Sequence, residues 1–130
     1  MGRVLLQLLL LATTVLAGDI RKGGSTVGRV ESDGSIRVRG SIIGRFESGG
    51  DIRIKGSIVG SVESDGTIRK GGSTVGKVYS DGAIRKNGTA IGKVDSDGTV
   101  RLHGSIVGSV EGVTPGQAAA LLAFDFVDLP

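Results

Sequence analysis

The chain of 130 residues contains no cysteine, one histidine, no tryptophan, one tyrosine and three phenylalanines. Without cysteine there is neither a disulfide framework nor a thiolate metal site. The single histidine, His103, cannot build a histidine metal cluster. With so few aromatics the core must be thin and made of Val and Ile. The formal net charge of +3 is too mild to argue for nucleic acid, which usually demands a clustered basic face. No glycine run precedes a Gly-Lys-Ser/Thr, so no phosphate-binding loop is present.

The opening segment 1–17, MGRVLLQLLLLATTVLA, differs in character from everything after it. Arg3 precedes an apolar run beginning at Val4. Val15 and Ala17 occupy the small-residue positions before a signal-peptidase cut. The run is short for a membrane span, which needs about 20 apolar residues. It predicts a cleaved secretory signal over 1–17, with an uncleaved anchor as the alternative, and a mature chain starting at Gly18. No cysteine follows the run, which excludes a lipoprotein anchor. Whether export ends in the periplasm, the outer membrane or the exterior is not distinguished.

From Gly18 to Val113 the sequence repeats with a sixteen-residue period, six times, from GDIRKGGSTVGRVESD to GTVRLHGSIVGSVEGV. A fixed short period is the signature of stacked repeat architectures. Each copy reads as two short β-branched strands and two turns. One turn is Ser-Asp-Gly, where Asp bonds nearby amides and Gly accepts positive φ. The other is x-Gly-Ser/Thr, as in Asn87-Gly88-Thr89, and Asn-Gly is a strong turn signal. Three apolar columns form the expected core. They run from Ile20 to Val100, from Val27 to Val107 and from Val30 to Val110.

Two further positions change together. Val38, Ile54 and Leu102 go with Ile42, Ile58 and Ile106, whereas Lys22, Lys70 and Lys86 go with Thr26, Thr74 and Ala90. The joint change predicts contact across the turn.

Two all-β folds satisfy this pattern. The expectation is a β-solenoid of six coils stacked about 4.8 Å apart, a rod of roughly 29 Å. The alternative is an antiparallel meander of about twelve short strands. An open sheet would leave an apolar face uncovered. After Val113, Thr114 and Pro115 are suited to N-cap and open a helix over GQAAALLA. Phe124-Asp125-Phe126 then alternates like a strand. Residues 114–130 read as a cap over the end of the stack, with an outer-membrane or sorting signal as the alternative.

The candidate binding residues are one column, Arg21, Arg37, Arg53, Arg69, Arg85 and Arg101. In parallel coils they would stand about 5 Å apart and repel unless paired, with Glu31, Glu47, Glu63, Asp95 and Glu111 as partners. A meander doubles the spacing. The column is either a solvated face or a ladder for a polyanion such as an acidic glycan. The turn residues Asp33, Asp65, Asp81 and Asp97 lack the glycines of calcium-binding β-rolls. Asp95-Ser96-Asp97-Gly98 lacks the twelfth-position Glu of an EF-hand loop. Turn formation accounts for them, and no metal or cofactor is implied. His103 is a turn residue. Ser32, Ser64, Ser80 and Ser96 recur as scaffold without partners for a nucleophile, so an enzyme is not expected.

The blocks VGKVYSDGAIRKNGTAIGKVDSDGTVR, behind a signal-like leader and before an alanine-then-aromatic tail, resemble small secreted repeat proteins of Bacteroidetes with tandem IGKIESDGTVR-type units. The resemblance covers nearly all of the mature chain and implies an exported repeat protein. It offers no catalytic residues to carry over. The tail LLAFDFVDLP departs from the longer Phe run of that group. DIRIKGSIVGSV and SIRVRGSIIGRF are more weakly similar to rungs of bactofilins, which polymerise but lack a cleaved leader. Together these readings imply a non-enzymatic structural or interaction protein of the envelope or exterior. Its expected partners are copies of itself, end to end or by edges, an acidic glycan or an envelope component, and not nucleic acid.

Overall fold

The computed structural model describes residues 18–130, so the expected leader lies outside the described residues. Each repeat forms one hairpin. The strands are β1 Gly18–Lys22, β2 Ser25–Val30, β3 Ser35–Val38, β4 Ser41–Phe46, β5 Asp51–Ile54, β6 Ser57–Val62, β7 Thr67–Lys70, β8 Ser73–Val78, β9 Ala83–Lys86, β10 Thr89–Val94, β11 Thr99–Leu102 and β12 Ser105–Val110, followed by helix α1 Pro115–Leu122. Every strand pairs antiparallel with its sequence neighbours. The last returns to the first, with Ile20 opposite Val110. The fold is therefore a closed twelve-stranded barrel and not the expected solenoid.

The turns decide this. At the x-Gly turns the central residues both have positive φ, 50° at Asn87 and 83° at Gly88. That is the geometry of a two-residue type I′ hairpin. Such a turn folds the chain straight back on itself, whereas a parallel coil needs a corner. The Ser-Asp-Gly turns reverse the chain too. Gly34 donates to the Glu31 carbonyl at 2.9 Å and holds φ at 93°.

Closure needs curvature, and each hairpin contains one device for it. Ile52 faces Gly60 and Arg53 faces Ile58, so Val59 is an extra, bulged residue. The column from Val27 to Val107 occupies this place in all six hairpins and is half-buried. Its carbonyls are not wasted: Val75 accepts from Asn87 at 3.1 Å and Ile91 from His103 at 2.9 Å. The other two columns line the lumen as expected. Ile20, Ile36, Ile52, Ile68, Ile84 and Val100 are 0% exposed.

The lumen is filled by the chain's own C-terminal segment. Helix α1 packs against β6, β7, β8, β10, β11 and β12, strands from opposite sides of the wall. Ala118, Ala119, Ala120, Leu121, Leu122, Phe124, Phe126, Val127 and Leu129 join the barrel's inner face in one core. The helix starts as the sequence predicts. The Thr114 hydroxyl accepts from Gln117 N at 3.1 Å, and the Gln117 side chain accepts from Thr114 N at 3.1 Å, a reciprocal capping pair. Eight residues span about 12 Å, close to the height of strands four to six residues long. Phe124-Asp125-Phe126 is not a strand. Asp125 has φ 55° and points outward, while both rings turn into the lumen. A barrel has no stack end to cap, and the segment covers apolar surface from within.

The mid-strand glycines make room for it. A Cβ on Gly60 would overlap the Arg69 carbonyl and stand 2.6 Å from Phe126 Cε2; one on Gly76 would stand 2.5 Å from Phe124 Cζ.

Contact between the two jointly varying positions is overturned. Val38 faces Ser41 and Arg37 faces Ile42. Neighbouring positions on a strand point to opposite faces, which places Val38 in the lumen and Ile42 on the outside. Val38 is buried and Ile42 is 55% exposed. The inner position instead follows the tail. Lys70 Nζ donates to the Phe124 and Asp125 carbonyls at 3.2 and 3.4 Å, and Lys22 Nζ to the Leu129 carbonyl at 3.5 Å. Lys86 Nζ lies 5.8 Å from the centre of the Phe124 ring, within reach of its π face.

In the Ser-Asp-Gly turns Asp33, Asp65 and Asp97 accept the backbone N–H two residues on at 2.9 to 3.0 Å. These bonds hold their carboxyls below the ordinary 3.8, with smaller contributions from nearby Arg45, Lys77 and Arg101, because they favour the charged form. A depressed folded pKa stabilises above the unfolded value and loses that contribution as pH falls through the folded one. The melting temperature should hold steady on acidification to about pH 4 and then fall. The triple variant Asp33→Asn, Asp65→Asn, Asp97→Asn, which keeps the acceptor oxygen, should fall less steeply by calorimetry. An identical slope would contradict the assignment.

Candidate functional site: the basic outer belt

The Arg column faces outward, once per hairpin, on alternate strands. Between its members the structure places cations the sequence reading passed over. Arg29 lies opposite Arg37, Arg45 opposite Arg53, Lys77 opposite Arg85 and Lys93 opposite Arg101. Ser61 faces Arg69 and Ser109 faces Arg21. Ten of the twelve strands thus present a Lys or Arg at mid-wall. The signal was present in the alternation Val-Gly-Arg/Lys/Ser-Val, but a parallel coil gives that position no cross-strand partner in the Arg column.

Like charges directly opposite on a sheet repel. The repeat answers with its carboxylates. Arg37 Nε donates to Glu31 at 2.6 Å, Arg53 to Glu47 at 2.6 Å, Arg69 to Glu63 at 2.8 Å and Arg101 to Asp95 at 3.2 Å. The same guanidiniums reach the far turn: Arg37 and Arg53 Nη1 donate to the Gly40 and Gly56 carbonyls at 3.3 and 3.2 Å. Arg37 and Arg53 thus lie along the wall and join the turns at its two ends. The belt is therefore a set of straps as well as a field of charge.

Two members differ. Arg21 donates to Thr26 Oγ1 and the Gly24 carbonyl, both at 3.0 Å, with no carboxylate partner among the described residues. Arg85 bonds the Gly88 carbonyl at 3.1 Å. At the end of the preceding copy Tyr79 stands where the others carry a carboxylate, its ring centre 5.9 Å from Arg85 Cζ.

The two mouths carry opposite charge. All Ser-Asp-Gly turns open at one end, which collects Glu31, Asp33, Glu47, Glu63, Asp65, Asp81, Asp95, Asp97 and Glu111. The type I′ turns open at the other, with Arg39 and Lys55 at their tips and Lys22, Lys70 and Lys86 just inside, beside the tail's Asp125 and Asp128, which offset part of that charge. His103, at φ 53°, is a turn residue as expected. Among the described residues no group of three His, Asp or Glu side chains could hold a metal ion.

No family model, curated protein or solved structure matches the chain.

The strap geometry sets an order among carboxylates. Glu31→Gln leaves the Arg29–Arg37 pair uncompensated, whereas Glu63→Gln leaves only Arg69 beside Ser61. Both ion pairs are substantially exposed, so neither exceeds about 1 kcal/mol. The Glu31 variant should nonetheless be the less stable by urea titration, and the difference should vanish near about 1 M salt. Equal losses, or a salt-independent difference, would contradict this.

Proposed function

We propose that the chain is an exported, non-enzymatic structural or interaction protein of the bacterial cell envelope or exterior. The observation that carries this reading is the filled lumen. Barrels that act on or carry small molecules keep their interior for the ligand; here residues 118–129 occupy it. What remains for partners is the outer wall and the two mouths. Residues 1–17, read as a secretory leader, support export, and the repeat units resemble those of secreted Bacteroidetes proteins.

The wall is unlike that of a spanning barrel. A membrane barrel turns an apolar band outward and needs strands of about 9–11 residues. This one turns Arg, Lys and Ser outward at mid-wall, with Ile42, Ile58 and Ile106 as scattered apolar neighbours rather than a band, on strands of four to six. That favours an aqueous location over the bilayer.

Self-association is part of the proposal, end to end. The barrel is closed, which removes the free edges by which strands would pair between molecules. The acidic and basic mouths, by contrast, are complementary. A second reading, favoured by the ten-cation belt, is a binding module for an acidic glycan or another polyanion through the outward Arg residues.

Light scattering behind size exclusion tests the first reading. Oligomers at about 50 mM salt that dissociate at about 0.5 M would support mouth-to-mouth stacking. A monomer at both would overturn it. For the second, retention on a heparin matrix should fall with salt and weaken in Arg53→Ala and Arg69→Ala; unchanged retention would remove it.

A further inference from the structure

Among the four like-charge pairs of the belt, three have a carboxylate of the chain against the Arg: Glu31 at Arg29–Arg37, Glu47 at Arg45–Arg53 and Asp95 at Lys93–Arg101. The fourth, Lys77–Arg85, has none at ion-pairing distance among the described residues. Tyr79 stands at that place. The ring draws both cations to itself, with Lys77 Nζ at 5.1 Å from its centre and Arg85 Cζ at 5.9 Å. Tyr79 is 41% exposed. The same residues, with Thr74 and Asn87, line a shallow depression of about 170 Å³ on the outer wall.

We propose that this depression is a binding site for one acidic sugar residue of a glycan, whose carboxylate or sulfate replaces the missing carboxylate between Lys77 and Arg85. The anion meets a directly opposed pair of cations that no carboxylate among the described residues neutralises at contact distance. The exposed part of the Tyr79 ring offers an apolar surface to sugar C–H groups, and its hydroxyl, Thr74 and Asn87 offer donors and acceptors to sugar hydroxyls. A nucleic acid is less suited. Its strands bind to successive stacking platforms. Tyr79 is the one aromatic exposed on the described surface, since Phe46, Phe124 and Phe126 are buried. The proposal narrows the second reading above from a ring-wide belt to one face, and rests on it.

Tyr79 is the chain's single tyrosine and there is no tryptophan, so near-ultraviolet fluorescence reports from the site itself. The experiment titrates the protein with short heparin-derived and polygalacturonate-derived oligosaccharides and with single-stranded DNA at about 50 mM salt. Calorimetry is run in parallel on Tyr79→Phe, Tyr79→Glu and Arg53→Ala. Tyr79→Glu installs the residue other copies carry, so the fold tolerates it. A saturable change in tyrosine emission is expected with at least one saccharide, and which one responds separates sulfate from carboxylate. Tyr79→Glu should weaken binding about tenfold or more, Tyr79→Phe and Arg53→Ala less than about threefold. Equal losses in Tyr79→Glu and Arg53→Ala would overturn the local site while leaving the belt reading standing. Saccharide binding that Tyr79→Glu leaves unchanged, or DNA binding as tight as the saccharide's, would also overturn it. No binding at all would end both.

Discussion

The barrel's inner face is apolar except for Lys22, Lys70 and Lys86 near one mouth, and it has to be filled. Twelve strands enclose more space than the Val and Ile side chains of their own repeats can occupy, because a glycine stands at mid-strand in every second strand. The remaining volume would otherwise be either water against hydrocarbon or a void without contacts, both unfavourable. The C-terminal segment meets this need with an alanine-rich helix slim enough to run along the lumen, then two phenylalanine rings seated over Gly60 and Gly76. Wall and filler depend on each other. Without the wall the helix, only two turns long, is too short to be stable alone in water.

Much of this was legible in the repeat. The strands, both turns, the two lumen-facing columns and the helix start at Thr114 follow from residue types and spacing. What misleads is the fold built on them, because a sixteen-residue period suits a coil and a hairpin equally well. The decisive information was local. A two-residue turn with Asn-Gly, Lys-Gly or His-Gly at its centre demands positive φ twice and reverses the chain. The objection to an open sheet, its uncovered apolar face, is met by closure and by the tail together.

The site was legible in part. The six column arginines could be named from the sequence, but their cross-strand neighbours Arg29, Arg45, Lys77 and Lys93 acquire meaning only from antiparallel register. The paired variation of Lys22, Lys70 and Lys86 against Val38, Ile54 and Leu102 was visible, and its cause was not. It records the path of the tail, whose carbonyls lie near Lys22 and Lys70. Departures from the repeat are therefore the informative positions, since whatever is identical in six copies serves the wall. Tyr79 is another such departure.

The central claim, that the C-terminal segment is the missing half of the core, is tested most directly by ending the chain at Val113. Dye binding, circular dichroism and size exclusion would be compared for chains 18–113 and 18–130. The account predicts that the shorter chain loses cooperative melting, binds hydrophobic dye and associates, and that a synthetic 114–130 peptide added in trans restores a dispersed, melting species. A truncated chain that stays monomeric, dye-free and equally heat-stable would contradict it.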